Sequence, residues 1–410
     1  MLCVASRTAA QHGPPATTSK GKTMHPGTIH RLVWGALWIS ALAGGMAHAQ
    51  LTAIVAVEPT EKKAGNSILR SALEAGLSKA SGQTVTVTTT EDLADAMRAT
   101  RSGGYDIFIG PPQVAASALQ RGYELVGCSQ KSDHYVLVGL PQIESVGALK
   151  GKRLYLPQQD SVYSYMGRGM LNEAGLSFKD LKSVRHEKYP QAGLSALTLG
   201  TTDATVVRAE EWGQWSATFP GVAKVLATSR PVPGGFSAVV RKELPSEVRG
   251  KLSQWLSTAS SGTGLAPTGL RPEMQEYQKV AELGLFTPTS LPGVKRVSAK
   301  DVVELLGQGA VVVDTRTEKE YRAKRIRGAV WAAYGEKSLK DVAFNPEQDD
   351  FKALETLDRS KALIFSCNGA ECWKSYKAAK VAADKGFRNV YWMRGGLPEW
   401  DAEGLPTEGG

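Results

Sequence analysis

The chain has 410 residues, with 49 basic and 40 acidic side chains, 42% hydrophobic and 22% charged content and four cysteines. These values exclude a disordered chain, a collagen-like repeat and a dense disulfide scaffold, and the length predicts two or three domains, each able to bury a core. The formal charge of +9 falls to +5 once residues 1–49 are set aside, because Arg7, Lys20, Lys22 and Arg31 meet no acid there; no lysine/arginine run remains, so no nucleic-acid partner is expected.

From Met24 a short basic stretch with His30 and Arg31 leads into an uncharged run, Leu32 to Gly45, and then Ala47-His48-Ala49 before Gln50. These are the three parts of a secretory signal peptide over residues 1–49, with residues 1–23 as an upstream extension. An uncleaved anchor is the alternative, but the run is short of the ~20 apolar residues that span a bilayer. The mature chain is therefore expected to be soluble and exported, to a bacterial periplasm. Export removes Cys3 and leaves Cys128, Cys367 and Cys372 in an oxidising compartment, a close pair and a loner. Cys128, at the end of an apolar strand, reads as a buried small residue.

Next come strand 52–57 and helix 67–80, strand 84–89 and helix 92–99, strand 105–109 and helix 113–121. This alternation predicts βαβ units and parallel sheet. A second set follows: strand 153–156, helices 161–174 and 192–199, and strand 204–207, then strand 236–240 and closing helices 246–257 and 272–283. Two such sets predict two α/β lobes over 50–285. The aperiodic stretch around Pro288 and Pro292 reads as a linker, 286–296, before a compact unit over 297–410. That unit should hold helix 299–306, strands 310–313 and 362–366, helix 373–385 and strand 389–392.

The richest segment is Lys361 to Trp400. An apolar strand delivers Cys367, the loop Asn368-Gly369-Ala370-Glu371 follows, and Cys372-Trp373-Lys374-Ser375 opens a helix. A thiol between a strand end and a helix N-terminus meets unpaired backbone N–H groups and the positive end of the helix dipole, which favour the thiolate and hold an incoming oxyanion.

Here the sequence resembles the rhodanese family. Asp314-Thr315-Arg316 is similar to its D-x-R element, Glu318 and Tyr321 to its E-x-x-F/Y helix, and Ile326-Arg327-Gly328-Ala329 to its H-I-P-G-A turn. Gly386 to Val390 and Gly395 to Trp400 resemble its G-F-x-x-V and G-G-x-x-x-W closing segments. The resemblance implies a rhodanese-like α/β domain with a parallel sheet and sulfurtransferase chemistry. A nucleophilic cysteine, Cys367 by position, takes the outer sulfur of thiosulfate or a related donor, releases sulfite and passes the sulfur on to cyanide or a thiol. Lys374 and Ser375 lie further from the cysteine than the family's arginine and serine, and Arg325 replaces its histidine.

The C-x4-C-W-x-S arrangement resembles a subset of exported rhodanese-like proteins with a second cysteine before tryptophan. Three readings stand: a persulfide on Cys367 with Cys372 as resolving thiol, a redox dithiol, or a structural disulfide. Lys374 either supplies positive charge to a transferred sulfonate, less directionally than arginine would, or is simply solvated. Asp314 and Arg316 read as supporting partners inside the fold, and Trp373 and Trp400 as packing residues.

In the first 230 residues beyond the signal, Gly104-Tyr105-Asp106-Ile107-Phe108-Ile109-Gly110-Pro111, leading into a helix, resembles the periplasmic phosphate/phosphonate-binding family of transporter receptors. Leu149 to Arg153 and Asp203 to Arg208 extend the similarity. It implies a two-lobed, periplasmic-binding-protein-like α/β region that closes over an anion held by helix N-termini and hydroxyls. Ser161, Tyr163, Ser164 and Arg208 are the anion-binding candidates, although Val162 interrupts the hydroxyls and Ser161 also reads as a plain helix cap. Glu58 and Thr60 are weaker candidates.

The whole then reads as an exported thiosulfate-type sulfurtransferase fused to a small-oxyanion receptor. The alternative is a binding protein with a non-catalytic or thiol-redox rhodanese module. The partners implied are a sulfur or phosphorus oxyanion, a thiol sulfur acceptor and an ABC-type membrane permease. No cofactor is expected. Four histidines fall in the presequence, and His134 and His186 are isolated, so no metal is expected either.

Overall fold

The computed structural model describes residues 50–59, 66–258 and 265–409. The segment read as a signal peptide with its cleavage site, Cys3 and Thr60 lie outside these residues. In chain order the first region holds β1 (Leu51–Ala56), α1 (Asn66–Ser81), β2 (Val85–Thr90), α2 (Leu93–Ser102), β3 (Ile107–Gly110), α3 (Pro112–Leu119), β4 (Tyr123–Asp133), β5 (Tyr135–Gly139), β6 (Arg153–Leu156) and α4 (Val162–Glu173). It continues with β7 (Ser183–His186), α5 (Ala192–Thr198), β8 (Ala204–Arg208), α6 (Ala209–Thr218), β9 (Lys224–Thr228), β10 (Val232–Arg241), α7 (Ser246–Thr258) and α8 (Met274–Glu282).

These strands form two five-stranded sheets, β2-β1-β3-β10-β4 and β7-β6-β8-β5-β9, one per lobe. The chain crosses between the sheets from β4 to β5 and from β9 to β10. Neither sheet is parallel throughout, as the βα alternation predicted. β10 runs antiparallel to β3 and β4, and β5 antiparallel to β8 and β9. The returning strands impose this, because a chain that passes from one sheet to the other re-enters in the opposite sense. β4 carries Gly127 at its centre, at φ 154°, where a side chain would collide with the carbonyls of Thr268 and Leu270.

The third region comprises β11 (Lys295–Arg296), α9 (Ala299–Gly307), β12 (Val311–Asp314), α10 (Glu318–Ala323), β13 (Arg325–Ile326), β14 (Val330–Trp331), β15 (Leu363–Ser366), α11 (Trp373–Asp384), β16 (Val390–Trp392), α12 (Gly396–Ala402) and β17 (Thr407–Glu408). Its five-stranded sheet, β11-β16-β15-β12-β14, is parallel throughout. Successive residues point to opposite faces, so Val313 and Phe365 pack under α11 with Trp373, Tyr376 and Trp392. Val312 and Ile364 pack on the other face with Val302, Leu397 and Trp400. Burial on both faces is why these strands read as continuous apolar runs. α9 and α10 start with reciprocal caps, Ser298 with Asp301 and Thr317 with Glu320.

Candidate functional site

Cys367 follows the last residue of β15 and Cys372 is the N-cap of α11; the two are joined as a disulfide, with Cα atoms 6.2 Å apart. Cys367 is fully buried, while Cys372, the residue at the positive end of the helix, borders a cavity. The loop between them is anchored from several sides. Leu397 N donates to the Cys367 carbonyl at 2.9 Å, an approach only glycine at position 396 permits: φ there is +58° and a Cβ would strike that carbonyl.

Arg316 makes a two-pronged buried ion pair with Asp314 and donates to Asn368 Oδ1 at 3.1 Å, while Asn368 Nδ2 donates to Glu320 at 2.7 Å. Arg316, braced by Asp314, thus contacts the first residue of the loop. The Ala370 carbonyl accepts from the Thr287 backbone and hydroxyl, and Trp373 Nε1 donates to Leu285 O at 2.9 Å. The proline-bearing stretch that reads as a free linker is therefore stitched to the cysteine loop. Ser375 is buried and accepts from Trp392 Nε1 at 3.1 Å, which places its hydroxyl in the core under the sheet.

The first region reaches this loop directly. Arg121, after α3, pairs with Glu371, and Lys340 pairs with Asp160 just before α4, while Lys340 N donates to Gln159 at 3.0 Å. The Lys340 and Asp160 side chains are only 10% and 5% exposed. Burial raises the Asp160 pKa, but Lys340 foremost, together with Arg101 and Arg168, outweighs it and holds the carboxyl below its ordinary range. Removing one partner strands the other, so Lys340→Met should cost about 3–5 kcal/mol at pH 7 by urea unfolding. The stability contributed by Asp160 is present above its unfolded pKa and lost as pH falls through the lower folded value, so the deficit should shrink in acid.

Beside the disulfide lies a cavity of about 130 Å³ bounded by Cys372, Asn368, Lys374 and Arg316 from the third region and by Arg98 and Arg101 of α2 from the first. Burial, then the neighbouring Arg98, lowers the Lys374 pKa. The cavity adjoins a larger groove of about 650 Å³ that shares Arg98, Arg101, Arg316 and Asn368.

The remaining candidates lie around the N-terminus of α4, where Glu58 from the first lobe meets the second. Ser161 caps α4, accepting from Ser164 N at 3.2 Å, and the Ser164 hydroxyl donates to Gln158 O at 2.8 Å, so both hydroxyls serve the turn. Tyr163 OH donates to Glu211 at 3.1 Å, and Arg208 lies 3.5 Å from Asp133. At the α4 N-terminus, Val162 N donates to Glu58 Oε1 at 3.2 Å, while Glu58 Oε2 is sealed from solvent with no hydrogen-bond partner. A carboxylate of the chain itself thus sits where a helix N-terminus would hold an anion. Burial, only partly countered by the Val162 N–H and Arg208, raises the Glu58 pKa to about 7.

The sequence model described as ABC transporter, phosphonate, periplasmic substrate-binding protein matches residues 55–290, more than half of the chain, and the chain belongs to that family. The rhodanese-like domain model matches residues 298–403, so the protein is a fusion of the two. Among solved structures, PhnD1 from Prochlorococcus marinus (MIT 9301) in complex with methylphosphonate is 16% identical, covering 57% of this chain and 97% of that one, with a TM-score of 0.45. A binding protein component of an ABC phosphonate transporter from Pseudomonas aeruginosa is 18% identical over 52% of this chain and 77% of that one, with a TM-score of 0.39. The chloroplastic rhodanese-like domain-containing protein 14 of Arabidopsis thaliana is 28% identical; the match covers 28% of this chain and 66% of that protein.

Sequence reasoning missed Arg98, Arg101, Arg121, Glu320 and Lys340. Arg98 and Arg101 share a helix face by their spacing, yet such pairs usually belong to a solvated face, and nothing local ties them to a cysteine loop some 270 residues on. Among the described residues no cluster suited to a metal ion occurs, and no helix is long and apolar enough to cross a membrane.

Proposed function

We propose that this is an exported, receptor-linked sulfurtransferase in which Cys367 and Cys372 act as a pair. The observation that carries the reading is the bond between a strand-end cysteine and a helix-cap cysteine, since it puts the second sulfur within reach of the first. In the reduced protein the Cys367 thiolate attacks the outer sulfur of thiosulfate. The S–S bond of thiosulfate breaks, sulfite leaves with the electron pair, and Cys367 carries the persulfide. The Cys372 thiolate, stabilised at the helix N-terminus, then attacks the Cys367 sulfur. The outer sulfur departs as hydrosulfide and the disulfide forms; two equivalents of an external thiol reduce it and leave as their own disulfide. Alternatively, cyanide or an acceptor thiol takes the outer sulfur before Cys372 does.

The amino-terminal region, in this reading, captures a small oxyanion for an ABC-type permease, and the anion must displace or neutralise Glu58 at α4. Anion binding to the full chain should therefore be tighter at pH 6 than at pH 8, as checked by calorimetry against thiosulfate, sulfite, sulfate, phosphate and phosphonates. The groups facing Glu58 are Arg208, Glu211 and Gln113. Silence across all these anions at both pH values would discard the receptor half of the reading.

A second reading, a binding protein whose rhodanese module reports thiol state without transferring sulfur, is favoured by the Arg121–Glu371 contact next to Cys372. Thiocyanate production from thiosulfate and cyanide, with Cys367→Ser as control, separates the two: the second reading allows none.

A further inference from the structure

The cavity beside Cys372 is built by both regions of the chain, and the state of its charges says what it would hold. Its acids are already engaged. Asp95 pairs with Arg98 at 2.7 Å, Glu336 with Lys377 at 2.8 Å, Glu320 accepts from Thr317 and Asn368, and Asp92 caps α2. Two of its cations are engaged as well, Arg316 with Asp314 and Lys340 with Asp160. That leaves Arg101, whose Nε is sealed from solvent without a hydrogen-bond partner, and Lys374; neither has an ion-pair or hydrogen-bond partner among the described residues. Two cations that face one small cavity without an ion-pair or hydrogen-bond partner repel each other, and an anion between them relieves that repulsion. The groove of about 650 Å³ that shares Arg98 and Arg101 provides an entry path.

We propose that this cavity is a binding site for a small dianionic sulfur oxyanion, thiosulfate or sulfite. In it, Arg101 of the receptor region and Lys374 of the rhodanese region grip the sulfonate oxygens beside the cysteine pair. The site is composite: the rhodanese region alone lacks half of its cationic wall. At about 130 Å³ it has room for one tetrahedral ion and little more. Arg101 supplies the directional, forked contact that Lys374 cannot. This inference deepens the sulfurtransferase reading and rests on it for the choice of sulfur oxyanions over others.

The test uses the full chain with both cysteines replaced, Cys367→Ser with Cys372→Ser, so that binding is read without reaction. Sulfite and thiosulfate are titrated by calorimetry into this background, into the same background with Arg101→Met or Lys374→Met, and into one with Arg101→Lys. Each methionine variant should weaken binding about tenfold, the loss expected for one charge-assisted contact, and Arg101→Lys should recover part of it. Affinity unchanged in Arg101→Met, or no binding in the parent background, would overturn the proposal; thermal unfolding of each variant identifies one that has failed to fold, and Arg101→Lys then decides. The two readings fail separately. Arg101-dependent binding without persulfide in the wild type sinks the enzymatic reading alone. Persulfide formation with an unchanged thiosulfate KM in Arg101→Met sinks the composite site alone.

Discussion

Thiosulfate treatment of the reduced Cys372→Ser chain is expected to leave a stable persulfide on Cys367, read by mass spectrometry as a gain of about 32 Da. The reduced wild type should instead lose the extra sulfur as hydrosulfide and return to the disulfide. The reciprocal variant, Cys367→Ser, should gain nothing and should lose thiocyanate production by on the order of a thousandfold, the loss typical of deleting a nucleophile. The asymmetry rests on the rhodanese correspondence, which puts the nucleophile at Cys367; by position alone Cys372, which caps a 12-residue helix and borders the cavity, is the more accessible of the two. If the adduct forms on Cys372 in the Cys367→Ser chain, the roles are reversed and the family correspondence fails at this loop.

Replacing Glu58 by glutamine should stabilise the protein at neutral and alkaline pH. Its carboxyl titrates near 7 in the folded chain against an ordinary 4.5, so the folded state favours the protonated form. The stability this group contributes is fully present below pH 4.5 and is lost as pH rises through 7. At about 1.4 kcal/mol for each pH unit, ionisation costs up to about 3 kcal/mol above pH 8, less whatever water reaches the half-buried stem. Glutamine keeps an acceptor for the Val162 N–H and carries no charge. Urea unfolding at pH 8 should show the gain, and at pH 4 the variant and wild type should nearly coincide. Equal stability differences at both values would mean that Glu58 is not held above its ordinary pKa.

Much of this architecture was legible because the relevant signals are local. β12, β15 and β16 announce themselves as apolar runs, and Cys367 and Cys372 bracket a strand-to-helix corner that the sequence marks by a change of period. The mixed sense of the two amino-terminal sheets was not legible, because β4 mixes a central glycine with polar residues from Ser129 to Asp133 and does not alternate. β7 and β9 are edge strands, and α6 buries none of its residues. Lys377 misleads in the opposite direction: it lies wholly buried under the helix, held by Glu336 and Ser338, where a lysine on that pattern reads as surface. At the site, Asp314 and Arg316 could be placed from their neighbours in sequence. The cation wall of Arg98 and Arg101, and Glu58 at the foot of α4, arise only when segments about a hundred or more residues apart meet, and no spacing rule encodes that meeting.

The carboxy-terminal region has a foothold on each jaw of the receptor: Glu371 on Arg121, which follows α3 of one lobe, and Lys340 on Asp160, which precedes α4 of the other. A swing of the jaws about their two crossings cannot leave that region a passenger. Either one foothold lets go, or the movement is transmitted as a pull on residue 371, one peptide bond from a sulfur atom. In the proposed function, ligand capture by the lobes and thiol chemistry at the cysteine loop would meet at these two ion pairs.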